Sequence, residues 1–453
     1  MKEWIGVRAR NAWKKIRHES SCRKEEEVHR REEEAEAIAL PSDSICEIAL
    51  LKACVKEKDL HQASIIHANI VKKGLLEKDR YLGNTLVSLY AKCGALSRAQ
   101  QVFERLPVRN VVSWNALIAG YAQHEHSCKQ ALTCFQRMQH HGVSPNAVTY
   151  VCILKACGSI GRATMGKEIH NTIVQKGLLE TNILVGNTLV DMYAKCSAVA
   201  KARQVFEQLP CRTVVSWNAL ISGYTQCGNG EEALHCFEQM QQKGLSPDAL
   251  TYVCILKACS SNIQQGRQIH EQVIRCGFHT DKTVCNALID MYVKCGLILE
   301  AQDVFDKLPV RDVVTWNAII SGYVQQGRGE EALICFTCMQ EEGFSPDVIT
   351  LTCIVKACGS TGAIEKGKQI HDDIISKGLL GKHIVLGNAL VDMYANNGAL
   401  SEAKMVFNRI QGKDVVSWNT LITGYVENGF CEEALNFLSN YKWGDLFLML
   451  SLI

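Results

Sequence analysis

The sequence predicts an all-α fold, a right-handed α-solenoid (superhelix) of stacked helix-turn-helix repeats. The first observation is self-similarity, because tryptophans recur at intervals of 103, 99 and 102 residues and other residues share the period. The residues that mark the period are Trp114, Trp217, Trp316 and Trp418, Asn84, Asn187, Asn286 and Asn388, and His67, His170, His270 and His371. A period that recurs through most of the chain indicates a repeat array rather than unrelated domains.

The second observation is the helical spacing of apolar residues within shorter units. In residues 214–248, Trp217, Leu220, Ile221 and Tyr224 follow the i, i+3, i+4, i+7 pattern of one helix face. A break at 228–230 precedes a second segment with helical spacing, and a glycine and a proline end the unit. One such hairpin cannot bury its apolar face alone, so we expect neighbouring hairpins to stack.

Composition and charge narrow the classes of function. The 453 residues are 47% hydrophobic with a formal charge of +2, so no global basic field indicates a nucleic-acid partner. The 22 cysteines recur at repeat-equivalent places, such as Cys93, Cys196 and Cys295, as small buried helix residues would in a reducing compartment. No apolar run is long enough to span a membrane. We therefore expect no disulfide framework, no metal, no other cofactor and no membrane contact.

The phrases within the units resemble the pentatricopeptide repeat family, and more narrowly the plant class that alternates P, L and S motifs. VVSWNALISGY followed by EEAL is similar to a P motif, LKAC followed by GKQIH to an L motif, and GN-x-LVDMYAKC to an S motif. The resemblance covers about residues 44–440, and no recognisable C-terminal E or DYW deaminase domain follows. Tetratricopeptide repeats have a similar length, but five residues separate Trp217 from Gly223, which fits their pattern poorly.

The resemblance divides the chain into three parts. Residues 1–43 are a charged leader, interpreted either as a targeting segment or as disordered chain, and residues 441–453 are a divergent apolar tail. Between them lies an array of about 11–12 repeats. The L-like units are 44–79, 147–182, 249–281 and 348–383; the S-like units are 80–110, 183–213, 282–312 and 384–414; the P-like units are 111–146, 214–248, 313–347 and the partial unit 415–440.

The resemblance implies that each P-like or S-like unit reads one base of single-stranded RNA. In the family, the fifth and last residues of a unit contact the base edge, and the second residue wedges between neighbouring bases. The implied fifth residues are Asn84, Asn115, Asn187, Asn218, Asn286, Asn317, Asn388 and Asn419, and the implied last residues are Asn110, Asn146, Thr213, Asp248, Asp312, Asp347 and Asp414. The implied wedges are Tyr81, Val112, Leu184, Val215, Val314, Val385 and Val416, with the polar Thr283 at the remaining place.

The L-like units differ at the same places. Their fifth residues are Ile48, Val151, Val253 and Thr352, and the first three cannot form a hydrogen bond with a base edge. These units are therefore expected to act as spacers or to bind weakly.

Structural interpretations compete with the functional ones. Asparagine commonly caps the start of a helix. However, all eight P-like and S-like units carry Asn at the fifth place and the L-like units do not, whereas Ser, Thr or Asp would cap equally well. This distribution favours base reading. The recurrent tryptophans lie in the apolar stripe and are expected in the core, and the recurrent histidines are expected to be packing or surface residues.

No catalytic residue is expected. The zinc-deaminase signature, His-x-Glu with a later Pro-Cys-x-x-Cys, is absent from the sequence, and the pair Cys335 and Cys338 falls inside a repeat helix. Three hypotheses remain: an RNA-binding protein, a protein-binding α-solenoid scaffold, and an enzyme. The resemblance implies the first, with pyrimidine-rich RNA as ligand. It also implies a role in organellar RNA modification (C-to-U editing) or processing, with partner proteins supplying catalysis, in the mitochondrion or the chloroplast.

Overall fold

The computed structural model describes residues 42–440, and within them it contains helices, turns and no β-strand. The predicted tail and all but the last two residues of the predicted leader lie outside the described residues. The chain divides into two compact bodies at Arg212 and Thr213. The helices of the first body are Ser42–Glu57, Leu60–Lys72, Leu75–Lys78, Arg80–Lys92, Leu96–Arg105, Val111–Ala122, Cys128–His140, Ala147–Ser159, Ala163–Gln175, Leu178–Thr181, Ile183–Lys195 and Val199–Gln208, with a 3-10 turn at Glu125–Ser127.

The second body repeats the same alternation of helices. Its helices are Val214–Gln226, Gly230–Gln242, Ala249–Ala258, Ile263–Arg275, Lys282–Lys294, Ile298–Asp306, Val313–Gln325, Gly329–Glu341, Val348–Thr361, Ile364–Ser376, Ile384–Asn396, Leu400–Arg409, Val415–Glu427 and Cys431–Asn440, with 3-10 turns at Cys259–Ser261 and Phe278–Thr280. In each body, successive helices pair into hairpins, and the first helix of a hairpin packs on the first helix of the next. Each body is thus an α-solenoid of stacked helix pairs, as the sequence predicts.

The apolar stripes form the core of each stack. Trp217, Leu220 and Ile221 are buried on the first helix of their hairpin, and Phe237 and Met240 are buried on the second. This is the face that the i, i+3, i+4 spacing predicts. Burial of apolar surface stabilises a fold by about 25 cal/mol per Å2. Because a single hairpin has no core of its own, this burial between stacked hairpins is the main source of stability.

Glycine lets neighbouring first helices approach closely. A Cβ added to Gly322 would lie 2.5 Å from Val293 Cγ2 and 3.0 Å from Ile298 Cδ1, both in the preceding hairpin. The equivalent glycine of the first body, Gly120, would meet Ala91 Cβ at 2.5 Å. The recurrent Gly-Tyr phrase of the P-like units therefore serves packing, because only a hydrogen fits between the two helices.

A second kind of glycine ends the hairpin. Gly244 adopts the left-handed conformation at φ 74°, its N–H donates to Gln241 O at 2.8 Å, and Leu245 N donates to Met240 O at 3.2 Å. This pair of bonds satisfies carbonyls at the helix end and turns the chain toward the next unit. The turn delivers Asp248 to the start of the following helix, where the candidate site is built.

Candidate nucleic-acid interface

The predicted last residue of each S-like unit and of the three complete P-like units caps the first helix of the next unit. Asp248 Oδ1 accepts a hydrogen bond from Thr251 N at 2.8 Å, and Asp347 Oδ1 accepts one from Thr350 N at 2.9 Å. The same capping role is taken by Asn110, Asn146, Thr213, Asp312 and Asp414. Capping therefore explains the last-position residues. It does not explain the fifth-position asparagines, which lie in the second turn of their helices.

In three P-like units the fifth and last residues are joined by a hydrogen bond. The amide nitrogen of the asparagine is the donor and a side-chain oxygen of the last residue is the acceptor. The distances are 3.0 Å from Asn115 to Asn146, 2.9 Å from Asn218 to Asp248, and 3.1 and 3.0 Å from Asn317 to the two oxygens of Asp347. The structure thus brings together the pairs that the sequence named in these units.

The S-like units do not all form this bond. Asn388 Nδ2 lies 3.5 Å from Asp414 Oδ1, at the limit of hydrogen bonding. Within residues 42–440 no hydrogen bond joins Asn286 to Asp312, and Lys282 Nζ lies 2.7 Å from Asp312 Oδ2.

Asn84 and Asn110 lie in one body, and no hydrogen bond between their side chains occurs in the part of the chain that the structure describes. Asn187 is buried in the first body, and Thr213 caps a helix of the second. The fifth-position Asn419 is half-buried and precedes the residues that would complete its unit. The position of a fifth and a last residue in the sequence therefore does not determine whether their side chains form a hydrogen bond.

Hydrogen bonding shapes the electrostatics of the capping carboxylates. Burial alone would raise the pKa of Asp248, but the bonds donated by Thr251 and Asn218 hold that pKa below its usual range. The pKa of Asp347 is lowered in the same way against the effect of burial, by bonds from Thr350 and Asn317. Both carboxylates are therefore ionised acceptors at neutral pH, each placed beside an amide donor.

The predicted wedges are exposed apolar side chains on the same helices. The exposed fraction ranges from 53% at Val112 to 66% at Val385. The other members of this range are Leu184, Val215, Val314 and Val416. Tyr81 is half-buried, with Lys52 Nζ 5.8 Å from its ring centroid. Thr283 is exposed, and its hydroxyl donates to the capping Asp281. A side chain that is apolar and exposed in the free protein is available to pack against a base.

Three of the four L-like units also carry exposed apolar residues at the second place, which the sequence reasoning missed. Val148, Leu250 and Ile349 are 53%, 57% and 60% exposed. The signal that could have found them is the equivalence of the second position across all three unit types. Within each body, these residues and the predicted wedges form a row of apolar side chains at the second position of most first helices.

The fifth residues of the L-like units offer no free hydrogen-bonding group. Ile48 and Val151 are buried, and Val253 is half-buried. Thr352 has a hydroxyl, but it donates to Val348 O in its own helix at 2.7 Å. The geometry of these four places is compatible with spacing rather than with base reading.

The recurrent aromatic and histidine residues belong to the scaffold. Trp114, Trp217 and Trp316 are 0–3% exposed, which confirms the predicted core role for these three, whereas Trp418 is half-buried. The histidines have a defined partner that the sequence reasoning did not identify. In each body the imidazole Nδ1 lies within hydrogen-bond distance of a tyrosine hydroxyl of the next unit. The distances are 3.1 Å for His67 and Tyr90, 3.1 Å for His170 and Tyr193, 2.8 Å for His270 and Tyr292, and 2.9 Å for His371 and Tyr394.

The described cysteines are free thiols. Cys93, Cys196 and Cys295 were expected to be buried helix residues, but they are half-buried and lie just after the helix end, at the C-cap. Among the described residues, no cluster of three or more His, Cys, Asp or Glu side chains could hold a metal ion. Burial raises the pKa of Cys335 to about 12, and Cys338 is exposed on the same helix. Neutral buried thiols are poor ligands and poor nucleophiles. Within residues 42–440 no helix is both long enough and apolar enough to cross a bilayer.

A groove marks the C-terminal part of the second body. It encloses about 280 Å3 and is lined by the wedge residue Val416 and the fifth residue Asn419, together with Asp392 and Glu427. Burial raises the pKa of Asp392. The groove shows that the space beside a wedge and a fifth residue is open between consecutive first helices.

Comparisons with known proteins match most of the array. Two models, described as the PPR repeat family and the PPR repeat, match residues 109–159, 212–261 and 311–360, and residues 84–111, 283–313, 388–415 and 416–441. A mitochondrial pentatricopeptide repeat-containing protein of Arabidopsis thaliana is 39% identical over 348 residues, which is 76% of this chain and 34% of that protein. A chloroplastic one from the same plant is 38% identical over 362 residues, 79% of this chain and 43% of the relative.

Solved structures include the maize protein PPR10. Its crystal structure is 20% identical, with a TM-score of 0.49 over 88% of this chain and 64% of that chain. PPR10 in complex with an 18-nt psaJ RNA element is 18% identical, with a TM-score of 0.32 over 89% of this chain and 83% of that chain. This chain spans about a third to less than half of the first two Arabidopsis relatives. The repeated matches along residues 84–441, together with the identity to these relatives, show that the chain belongs to the pentatricopeptide repeat family.

Proposed function

We propose that this chain binds single-stranded RNA and that each P-like or S-like unit addresses one base. The observation that carries the proposal is the geometry of the P-like units. An amide donor and a capping oxygen are joined at 2.9–3.1 Å, and an exposed valine lies three residues earlier on the same helix. Hydrogen bonding to a base edge and packing on a base face are the two contacts by which single-stranded bases are recognised.

Pyrimidines suit the polar pairs. Uracil presents a carbonyl acceptor beside its N3–H donor, so an asparagine N–H and an aspartate oxygen complement its edge. With Asn at both places, as in Asn115 and Asn146, both pyrimidines can be accommodated. Protein N-to-C corresponds to RNA 5′-to-3′ in the family, so the expected ligand is 5′-n-Y-Y-n-Y-U-n-U-U-n-U-Y-3′, with n facing each L-like unit.

The relatives support an organellar setting. Their names place the first in the mitochondrion and the second in the chloroplast. We place this chain in the plant P, L and S class because its units alternate in that order, and we propose that it serves as a specificity factor in organellar C-to-U editing or processing. No catalytic site is assigned in the described residues, so partner proteins would supply the chemistry.

A protein-binding scaffold is the second candidate. The row of exposed apolar side chains favours it, because exposed apolar surface also suits a bound peptide. The two candidate functions make different use of the polar pairs. An RNA base can form hydrogen bonds with the Asn and Asp pairs beside the row, whereas the side chains of a hydrophobic peptide cannot.

A gel-shift competition separates the candidates. The probe is a labelled 12-nucleotide RNA with the expected pyrimidine sequence, and its competitors are the same RNA unlabelled, an RNA with purines at the Y and U positions, and the corresponding duplex. We expect displacement by the unlabelled pyrimidine RNA and not by the other two at the same concentration. Equal displacement by all three, or no shifted band, would reject sequence-specific RNA binding.

A further inference from the structure

In three L-like units the first helix carries a buried threonine at its third residue. This threonine contacts the fifth residue of the preceding P-like unit. Thr149, Thr251 and Thr350 are 0% exposed. Each hydroxyl donates to the carboxamide oxygen of that asparagine. The distances are 2.6 Å to Asn115, 2.6 Å to Asn218 and 2.5 Å to Asn317. The asparagine is therefore held at both ends of its amide group.

Because the amide nitrogen of the asparagine donates to the cap, the threonine is the donor toward the asparagine oxygen. Its oxygen already accepts the backbone N–H of the capping residue, at 3.1 Å for Asn146 and 3.2 Å for Asp347. Its single proton has two possible acceptors, the asparagine oxygen and the oxygen of the capping side chain. At Thr350 these lie 2.5 and 3.0 Å away, and at Thr149 they lie 2.6 and 3.1 Å away, so the asparagine is the closer acceptor.

The equivalent hydroxyls after the S-like units point elsewhere. Thr315 donates to its own cap, Asp312 Oδ1, at 3.0 Å, and Ser417 donates to Asp414 Oδ1 at 2.8 Å. The carboxamide oxygens of Asn286 and Asn388 are buried without a hydrogen-bond partner in the described part of the chain. A buried acceptor without a partner is costly, so these oxygens point to a donor that the free protein lacks.

We infer that Thr149, Thr251 and Thr350 are positioning residues that make the P-like asparagines donor-only readers. With the oxygen accepting from the threonine and one N–H given to the cap, each of Asn115, Asn218 and Asn317 has its second N–H left to offer a base. Asn286 and Asn388 in the S-like units have an oxygen without a partner among the described residues, so each can present either an acceptor or a donor to a base. This inference rests on the proposed RNA-binding function and assigns a specificity difference within it.

The difference separates uracil from cytosine. A donor-only asparagine matches a pyrimidine carbonyl, and Asp248 or Asp347 accepts the N3–H that uracil has and cytosine lacks. A free asparagine oxygen can accept from the exocyclic amino group of cytosine, which only the S-like units allow. We therefore expect P-like units to select uracil over cytosine more strongly than S-like units do, even where both carry the same Asn and Asp pair.

Adjacent units provide the matched test. Asn286 with Asp312 and Asn317 with Asp347 are both Asn–Asp pairs, and both are followed by a buried threonine at the third helix position, Thr315 or Thr350. Fluorescence anisotropy measures the Kd of the full chain for the 12-nucleotide RNA. The RNA carries U or C at one of two positions: the eighth base, which faces the 282–312 unit, or the ninth base, which faces the 313–347 unit. The variants are T350V, T350S and T315V, which are compared after circular dichroism has shown that each is folded.

For T350V we expect the preference for U over C at the ninth base to fall about fivefold, the scale of one hydrogen bond. T350S, which keeps the hydroxyl, should retain the preference. T315V removes a cap bond of the same kind, so it should leave the preference at the eighth base within about twofold. An unchanged ninth-base preference in T350V, or an equal loss in T315V, would overturn the inference while leaving RNA binding intact. Absence of RNA binding by the unmodified chain would instead overturn the proposed function, and the inference with it.

Discussion

Replacing the wedge Val314 by alanine separates ligand binding from folding. Val314 is 60% exposed in the second position of the helix Val313–Gln325. The substitution removes two methyl groups that contribute little to the core and places a good helix former at the site. We therefore expect the free energy of unfolding to change by no more than about 0.5 kcal/mol.

The effect on RNA binding should be larger. If a bound base covers the exposed three-fifths of those two methyl groups, at about 0.8 kcal/mol each, the loss is about 1 kcal/mol. That corresponds to an increase in Kd of about fivefold. Because stacking does not depend on base identity, the increase should be the same for RNAs with U, C, A or G at the bases beside this helix.

The matched control lies on the same helix. Ile320 is 0% exposed, so Ile320→Val should destabilise the fold by about 1 kcal/mol and leave Kd unchanged. Unfolding by urea, followed by circular dichroism, and fluorescence anisotropy measure the two quantities. The reasoning would be refuted by a Val314→Ala variant that binds RNA as tightly as the unmodified chain, or one that changes base preference without lowering overall affinity.

Three further predictions concern the scaffold. Burial lowers the pKa of His67, His170, His270 and His371. Below about pH 6.5 the unfolded chain therefore takes up protons at these histidines that the native chain does not. The free energy of unfolding should be greatest above that pH and should fall as the pH drops below it. Urea unfolding at pH 7.5 and 5.5 tests this, and equal stability at both would contradict it. Gly322→Ala should lower stability by about 1–3 kcal/mol, because the new Cβ would meet Val293 Cγ2 at 2.5 Å; calorimetry that shows an unchanged Tm would contradict that reading. EDTA should leave the helical circular dichroism signal intact, and its loss would reveal a metal site that the thiols do not suggest.

Much of the fold could be predicted from the sequence because stacking leaves a periodic record. Trp217, Leu220 and Ile221 are buried as their spacing predicts. The candidate site was harder to predict from the sequence, because only the family resemblance gave the fifth and last positions a role. The structure shows that the two positions differ: the last residues cap helices, and the fifth-position asparagines do not.

Pair geometry could not be predicted from residue identity. Asn286 with Asp312 and Asn317 with Asp347 are the same residue types, but only the second pair is bonded. The S-like pair is separated by 26 positions rather than 30, and Lys282 holds its aspartate. The partner of an asparagine depends on the path of the intervening turn and on competing charges, neither of which a single sequence specifies.

The histidines show the same limit in the core. His371 and Tyr394 lie 23 positions apart, on helices of consecutive units, and each pair of this type recurs with almost the same separation. The recurrence of the two residues was visible in the sequence. Their contact depends on how the second helix of one hairpin meets the first helix of the next, which periodicity alone does not determine.

One base per unit is the central claim, and selection from random RNA tests it most directly. The full chain and its Asn317→Ser variant, with Asp347 retained, would each select ligands from a pool of random single-stranded RNA. We expect the full chain to return pyrimidines at the Y and U places of 5′-n-Y-Y-n-Y-U-n-U-U-n-U-Y-3′, and the variant to shift only the ninth base from U toward G. Purine-rich ligands, or a variant that changes several bases or none, would contradict the account.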